Sequence, residues 1–189
     1  MLRFGVIGTN FISDWFVGAC AGRAEVAAVY SRHPDTGEKF AADHGIARAT
    51  TKMDEMFAAV DAVYIASPIR AHHEQALAAL KAGRHVLVEK TMAGSAQQVG
   101  EVQAAALASG LVAMEAVRNL HTPAYAAIKA ALPRLGTLRQ GSLVKEQYSS
   151  RYDAFKAGEV LNAFDPALDN SAIADIGVYP LQPALDLFG

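Results

Sequence analysis

The sequence predicts an α/β fold: a doubly wound parallel sheet followed by the start of an incomplete antiparallel α+β domain. Three observations predict it. Short apolar runs alternate one for one with helical patterns through residue 117. A glycine-bearing turn, GVIGTN, joins the first apolar run to the first helix. Near residues 118–122 that alternation ends and a helix, a turn and a half-apolar strand follow.

Taken in order, RFGVIG (3–8) is a buried strand, and FISDWFVGACAG is the helix after it. EVAAVYS (25–31) is the second strand, and a helix over 36–44 is closed by Gly45. A weak strand near Ile46 leads into a short helix, KMDEMFAAV. DAVYIAS (61–67) is a buried strand stopped by Pro68, and AHHEQALAALKAG is the next helix. HVLVEK (85–90) is a strand ending in two charges. SAQQVGEVQAAALASG is a helix closed by Gly110, and LVAMEA is the sixth strand. This places a dinucleotide-binding domain over 1–120 and the first part of a second domain over 121–189.

In the second part, TPAYAAIKAAL is a helix, PRLGT a turn, and LRQGSLVKEQYSS (138–150) an antiparallel, half-exposed strand. A lone strand is no stable sheet, because its backbone groups need neighbours. Residues 151–172 are polar and irregular, and IADIGVYPLQPALDLFG is a closing helix.

Composition narrows the function classes. The 189 residues are 52% apolar and 19% charged, as in a soluble globular protein. A net charge of −2 gives no electrostatic footprint for nucleic acid. No apolar run approaches the roughly 20 residues that span a bilayer. A single cysteine, Cys20, excludes an internal disulfide framework, and with no secretory signal a cytoplasmic location is expected. No metal-ligand cluster stands out.

The turn Gly8-Thr9-Asn10-Phe11-Ile12 lies where a pyrophosphate meets the backbone and the free N–H groups of a helix N-terminus. Gly8 fills the first position of G-x-G-x-x-G, with Asn10 and Ser13 at the other two. Asn tolerates left-handed backbone, so the turn is retained; a plain strand–helix turn is the other reading. At the end of the second strand stand Ser31 and Arg32 rather than the Asp or Glu of NAD sites. An Arg fork and a hydroxyl suit a 2′-phosphate, favouring NADP while leaving NAD possible; a solvated surface Arg fits as well. Ser67 and Pro68 lie over the ligand crevice, and His72 opens the next helix as either a ligand or a helix-start residue.

Glu89 and Lys90 end a buried strand at its carboxyl end, where both are expected to contact the cofactor. An ammonium there can hydrogen-bond a substrate oxygen and stabilise alkoxide character; a wet strand end explains a lysine equally. Asp175 and Tyr179, at i and i+4, share a helical face. They fit an acid with a proton-transfer phenol, or a helix-start carboxylate with a packing residue. A cation beside the phenol would favour its ionised form.

Together GVIGTN, AVYSR, SP…H…ALAALKAGRHVLVEK, MEA and ADIGVYPL resemble the glucose–fructose oxidoreductase / inositol dehydrogenase / MocA (Gfo/Idh/MocA) family, over essentially the whole chain. The resemblance implies a Rossmann domain, NADP or NAD as cofactor, and hydride transfer at a hydroxyl or carbonyl carbon of a sugar, polyol or diol. It implies that Lys90 matches the lysine of the family's Glu-Lys-Pro motif, and that Asp175 and Tyr179 match its acid and proton-transfer residue. Tyr in place of His is similar to the dihydrodiol and xylose dehydrogenase branch, which uses NADP. The chain departs from the pattern at Thr91 (for proline), Asn10 (for glycine), Ile69 (for asparagine) and DNSA at 169–172 (for a Gly-Gly pair). Full-length relatives carry a large antiparallel sheet that lines the substrate pocket and commonly forms the dimer surface. The resemblance therefore implies a C-terminally truncated chain, and a homo-oligomer for the full-length form. The alternative is a truncated, non-catalytic NAD(P)-binding or interaction protein. An S-adenosylmethionine enzyme would need only the glycine turn and leaves VEK and DIGVY unexplained.

Overall fold

The structure, a computed structural model, describes residues 1–162 and 164–189. Two compact units divide the chain, Met1–Glu115 and Ala116–Gly189.

The first unit is built on six strands: β1 (Arg3–Ile7), β2 (Glu25–Tyr30), β3 (Arg48–Thr50), β4 (Ala62–Ile65), β5 (His85–Glu89) and β6 (Ala113–Ala116). They lie in the order β3-β2-β1-β4-β5-β6. The β1–β2, β1–β4, β2–β3 and β4–β5 ladders are all parallel. Chain order therefore reverses between β1 and β4, and the crevice beyond their carboxyl ends is where ligands bind in such sheets.

Side chains alternate across the sheet, so consecutive apolar residues feed opposite cores. Val6, Val29 and Tyr64 join Phe40 and Ala41 on one face. Ile7, Ala28, Val63 and Ile65 join Met56, Leu80 and Val102 on the other. Each fully buried side chain of this size contributes about 1.5–3 kcal/mol. Two covered faces explain why β4 reads as a continuous apolar run.

The helices start and stop where local chemistry directs. Helix α1 (Phe11–Cys20) is capped by Asn10, whose Oδ1 accepts from the N–H groups of Ile12 and Ser13. Helix α2 (Pro34–His44) has proline in its first turn and ends on Gly45 at φ 65°. Helix α3 (Met53–Phe57) is shorter than the 52–60 pattern predicts. Helix α4 (Ile69–Lys81) begins directly after Pro68, two residues before the expected start, and buries Ile69 and His72. Helix α5 (Ala96–Ser109) is capped by Ser95 and closed by Gly110.

In the second unit, α6 (Pro123–Ala131) is capped by Thr122. Asp186 of α8 (Val178–Phe188) holds Tyr125 and Lys129 of α6 at 2.7 and 2.8 Å. A short helix, α7 (Tyr152–Lys156), interrupts the stretch expected to be irregular. The antiparallel strand expected over 138–150 does not form. No described residue of the second unit is in a strand that could pair with it beyond the end of β6, so its backbone has no ladder to join. Among the described residues no helix is long and apolar enough to cross a membrane.

Candidate functional site

The phosphate end is set by Gly8. Its φ of 109° is open to glycine, and a Cβ there would lie 2.8 Å from the Ala66 carbonyl oxygen. The backbone after β1 therefore runs hard against the backbone after β4. Asn10, at the second motif position, closes this approach from the other side: its Nδ2 donates to the Ala66 carbonyl at 2.6 Å. One amide thus caps α1 and ties it to β4. It also takes two of the N–H groups that a glycine would leave to a ligand, leaving that of Phe11 and the turn itself. Ser13, fully buried, has no partner for its Oγ among the described residues, so its role is that of a small residue under the helix. A positive-φ glycine, an exposed turn and a ten-residue helix starting at the switch point fit a dinucleotide pyrophosphate.

Farther along the sheet edge, Ser31 is buried rather than presented to solvent. Its Oγ lies 2.6 Å from the Thr36 hydroxyl and accepts from the His33 N–H. Arg32 is exposed beside the start of α2. A cleft of about 310 Å³ opens here, lined by His33, Gly37, Thr50 and Lys52 among others, on the far side of the crevice from Lys90.

The reaction end is built around the turn after β5. Lys90 is half-buried, and the Lys90–Thr91 peptide is cis. Three anchors fix this turn in succession. The Lys90 N–H donates to Glu89 Oε2 at 3.3 Å. The Thr91 carbonyl meets His72 Nδ1 at 2.9 Å. The Met92 N–H donates to Glu115 Oε1 of β6 at 2.8 Å. Glu89 is held in turn by the Tyr64 hydroxyl, which donates to its Oε1 at 2.6 Å. Burial and then Glu89 itself push the Tyr64 phenol far above its ordinary pKa.

Ser67 donates its hydroxyl to Gln75 at 2.6 Å, and its carbonyl meets His72 Nε2 at 2.7 Å. Pro68 caps α4 in extended backbone. His72 is 1% exposed, so it stands behind the crevice rather than on its surface. Burial lowers its pKa, opposed by the Thr91 and Ser67 carbonyls and by Glu89. Of the residues expected to contact cofactor, Gly8, Thr9, Asn10, Phe11, Ser67 and Pro68 thus gather at the ends of β1 and β4. Glu89 and His72 instead spend their polar atoms on holding the Lys90 turn.

Asp175 and Tyr179 lie in the second unit. Asp175 is in a π-helical turn, Ile173–Gly177, and Tyr179 is in the first turn of α8. The Val178 N–H reaches back to the Ile173 carbonyl. The turn that carries Asp175 is thus wider than an α-helical one, a distortion frequent at functional sites. Asn119 donates to the Tyr179 carbonyl at 3.3 Å, and the Lys145 ammonium lies 5.9 Å from the centre of the Tyr179 ring.

Sequence reasoning missed Tyr64, Glu115, Asn119 and Lys145. Tyr64 was masked by its apolar strand, Glu115 stands in MEA without a role that the motif assigns, and Asn119 and Lys145 sit in no motif.

The profile of the Gfo/Idh/MocA oxidoreductase family, described as having an NAD-binding Rossmann fold, matches residues 2–117. The chain belongs to this family. Its relatives include the scyllo-inositol 2-dehydrogenase (NADP(+)) of Bacillus subtilis, 45% identical over 100% of this chain and 59% of that protein. Another is the trans-1,2-dihydrobenzene-1,2-diol dehydrogenase of Bos taurus, 30% identical over 100% of this chain and 56% of the relative. Among solved structures, an NAD binding oxidoreductase from Klebsiella pneumoniae superposes with a TM-score of 0.78 at 28% identity, covering 100% of this chain and 53% of that one. The chain thus spans somewhat over half the length of these Gfo/Idh/MocA relatives.

Proposed function

We propose that this member of the Gfo/Idh/MocA family is an NADP(H)-dependent oxidoreductase acting on a hydroxyl or carbonyl carbon of a sugar, polyol or diol. The observation that carries the reading is the Lys90 turn, fixed at three consecutive residues at the carboxyl end of β5. A lysine on a merely wet strand end needs no such support.

The bound nicotinamide would supply or accept the hydride. The Gly8–Ile12 turn receives the pyrophosphate. Arg32, exposed at the start of α2, pairs with the 2′-phosphate. Ser31 contributes by shaping that turn through Thr36 rather than by offering its hydroxyl. The name of the B. subtilis relative, which specifies NADP(+), supports the same preference. The Lys90 ammonium stabilises negative charge on the substrate oxygen. Tyr179 passes the proton, with Asp175 as the accompanying acid, and the Lys145 ammonium lies over its ring. We assign residues 121–189 to the first part of a substrate and dimerisation domain, with a homo-oligomer as the assembly of the complete protein.

Lys90→Met and Tyr179→Phe should each lower turnover about 10²–10³-fold or more while NADPH binding survives. Full activity in either variant would sink its assigned role. A second reading, an NAD(P)-binding module without turnover, is favoured by the absence of any strand over 138–150. NADPH binding with no oxidation of any sugar, polyol or diol would select it.

A further inference from the structure

We propose that His72 is a positioning residue, and that its doubly protonated ring clasps the turn after β4 to the turn after β5, fixing Lys90 from behind. The chemistry follows from its two partners. Both ring nitrogens face backbone carbonyl oxygens, Thr91 at 2.9 Å and Ser67 at 2.7 Å. A carbonyl oxygen only accepts, so each contact needs an N–H on the ring. A neutral imidazole has one N–H and would turn a lone pair on the other carbonyl. Flipping the ring would place carbon against both carbonyls and leave both acceptors unpaired. Where both contacts are hydrogen bonds the ring is an imidazolium, held against the burial that disfavours its charge.

Burial is the largest influence on the ring and opposes its second proton; the Thr91 and Ser67 carbonyls and then Glu89, at the end of β5, favour it. The two Glu89 oxygens accept from the Tyr64 hydroxyl and the Lys90 N–H. Arg70 stands two residues from His72 on α4, and Lys90 stands on the clasped turn. The neighbouring His73 is engaged by Glu101 of α5 at 2.7 Å. When the ring loses its second proton, one of the two carbonyls is released. Where the released carbonyl is that of Thr91, the Lys90 turn loses the middle of its three anchors. His72 thus makes the placement of Lys90 proton-dependent, tightest on the acid side of the ring's titration.

The consequence for turnover rests on the oxidoreductase reading above; the protonation of the ring does not. The test is nuclear magnetic resonance of the 189-residue chain labelled with ¹⁵N at histidine and backbone, titrated from mildly acidic to mildly alkaline pH, with His72→Gln assigning the signals. Two protons on the His72 ring at the acid end are expected. Their reduction to one should coincide with shifts of the Ser67, Thr91 and Met92 amides. Glu89→Gln should move that midpoint down by about one pH unit, a tenfold change in proton affinity. In the active protein, kcat should fall through the same midpoint while the NADPH Kd holds. A ring with one proton in the folded chain at the acid end would overturn the proposal. So would proton loss that leaves the three amides unmoved. An absence of turnover would count against the oxidoreductase reading alone, since the resonance experiment decides the clasp by itself.

Discussion

Replacing Gly8 by alanine tests the geometry on which the phosphate turn depends. Two costs arise. The backbone sits at φ 109°, outside the regions open to L side chains, which costs about 1–3 kcal/mol. The new Cβ would also lie 2.8 Å from the Ala66 oxygen and 3.0 Å from its carbon. Both are backbone atoms, fixed by the Ala66 N–H bond to Ile7 and the Asn10 bond to the Ala66 carbonyl. Relief means parting β1 from β4, and overpacking of this kind costs about 1–3 kcal/mol more. The total, about 2–6 kcal/mol, is a large share of a typical folding stability of about 5–15 kcal/mol. Gly22→Ala is the control, with φ 72° and nothing within 4 Å, so it carries the backbone cost of about 1–2 kcal/mol alone. Urea unfolding followed by circular dichroism and by the sole tryptophan, Trp15, reads the difference. With a slope of about 2 kcal/mol per molar, Gly8→Ala should lower the midpoint by about 1–3 M, and Gly22→Ala by less than 1 M. Equal losses in the two variants would refute the close approach of the two strand ends.

Tyr64→Phe removes the hydroxyl that serves Glu89, and loss of a hydrogen bond to a charged group should cost about 1.5–3 kcal/mol in the same urea assay. The phenol's pKa is raised on folding, so its contribution is present below the unfolded value near 10 and is lost as pH rises; wild type should lose stability above about pH 10 and Tyr64→Phe should lose less. Asp61 behaves oppositely: hydrogen bonds from Arg3 lower it from 3.8 to about 2. Its contribution is present above 3.8 and lost as pH falls towards 2, so the stability gap between wild type and Asp61→Asn should close over that window in acid titrations. In the second unit, burial and Asp186 push Tyr125 up to about 12. Asp186→Asn should bring one late-titrating tyrosine back towards 10 in an ultraviolet pH titration.

Much of this architecture is legible in the sequence because parallel strands covered on both faces carry an undisguised signal. Val63 and Tyr64 point to opposite cores, yet both are buried, so β4 reads as one apolar run. Gly45 and Gly110 mark helix ends because each takes the left-handed backbone there. The polar contacts were less legible because they join residues far apart in the chain. Tyr64 looks like packing until its hydroxyl is seen on Glu89, 25 residues away. Ser31 looks available to a phosphate until Thr36, five residues on, takes its hydroxyl. His72 reads as a helix-start residue, and its work appears only when β4 and β5 lie side by side. The strand expected over 138–150 had a suitable pattern, but alternation specifies a face and not a partner.

In the proposed function, the Gly8 turn and Arg32 bind NADP(H). Calorimetric titration of the 189-residue chain with NADPH and NADH tests it most directly. NADPH should bind more tightly than NADH, and Arg32→Ala should shrink that preference about tenfold or more, the loss expected of one charged hydrogen-bond partner. Binding of neither nucleotide, or a preference unchanged in Arg32→Ala, would contradict the account.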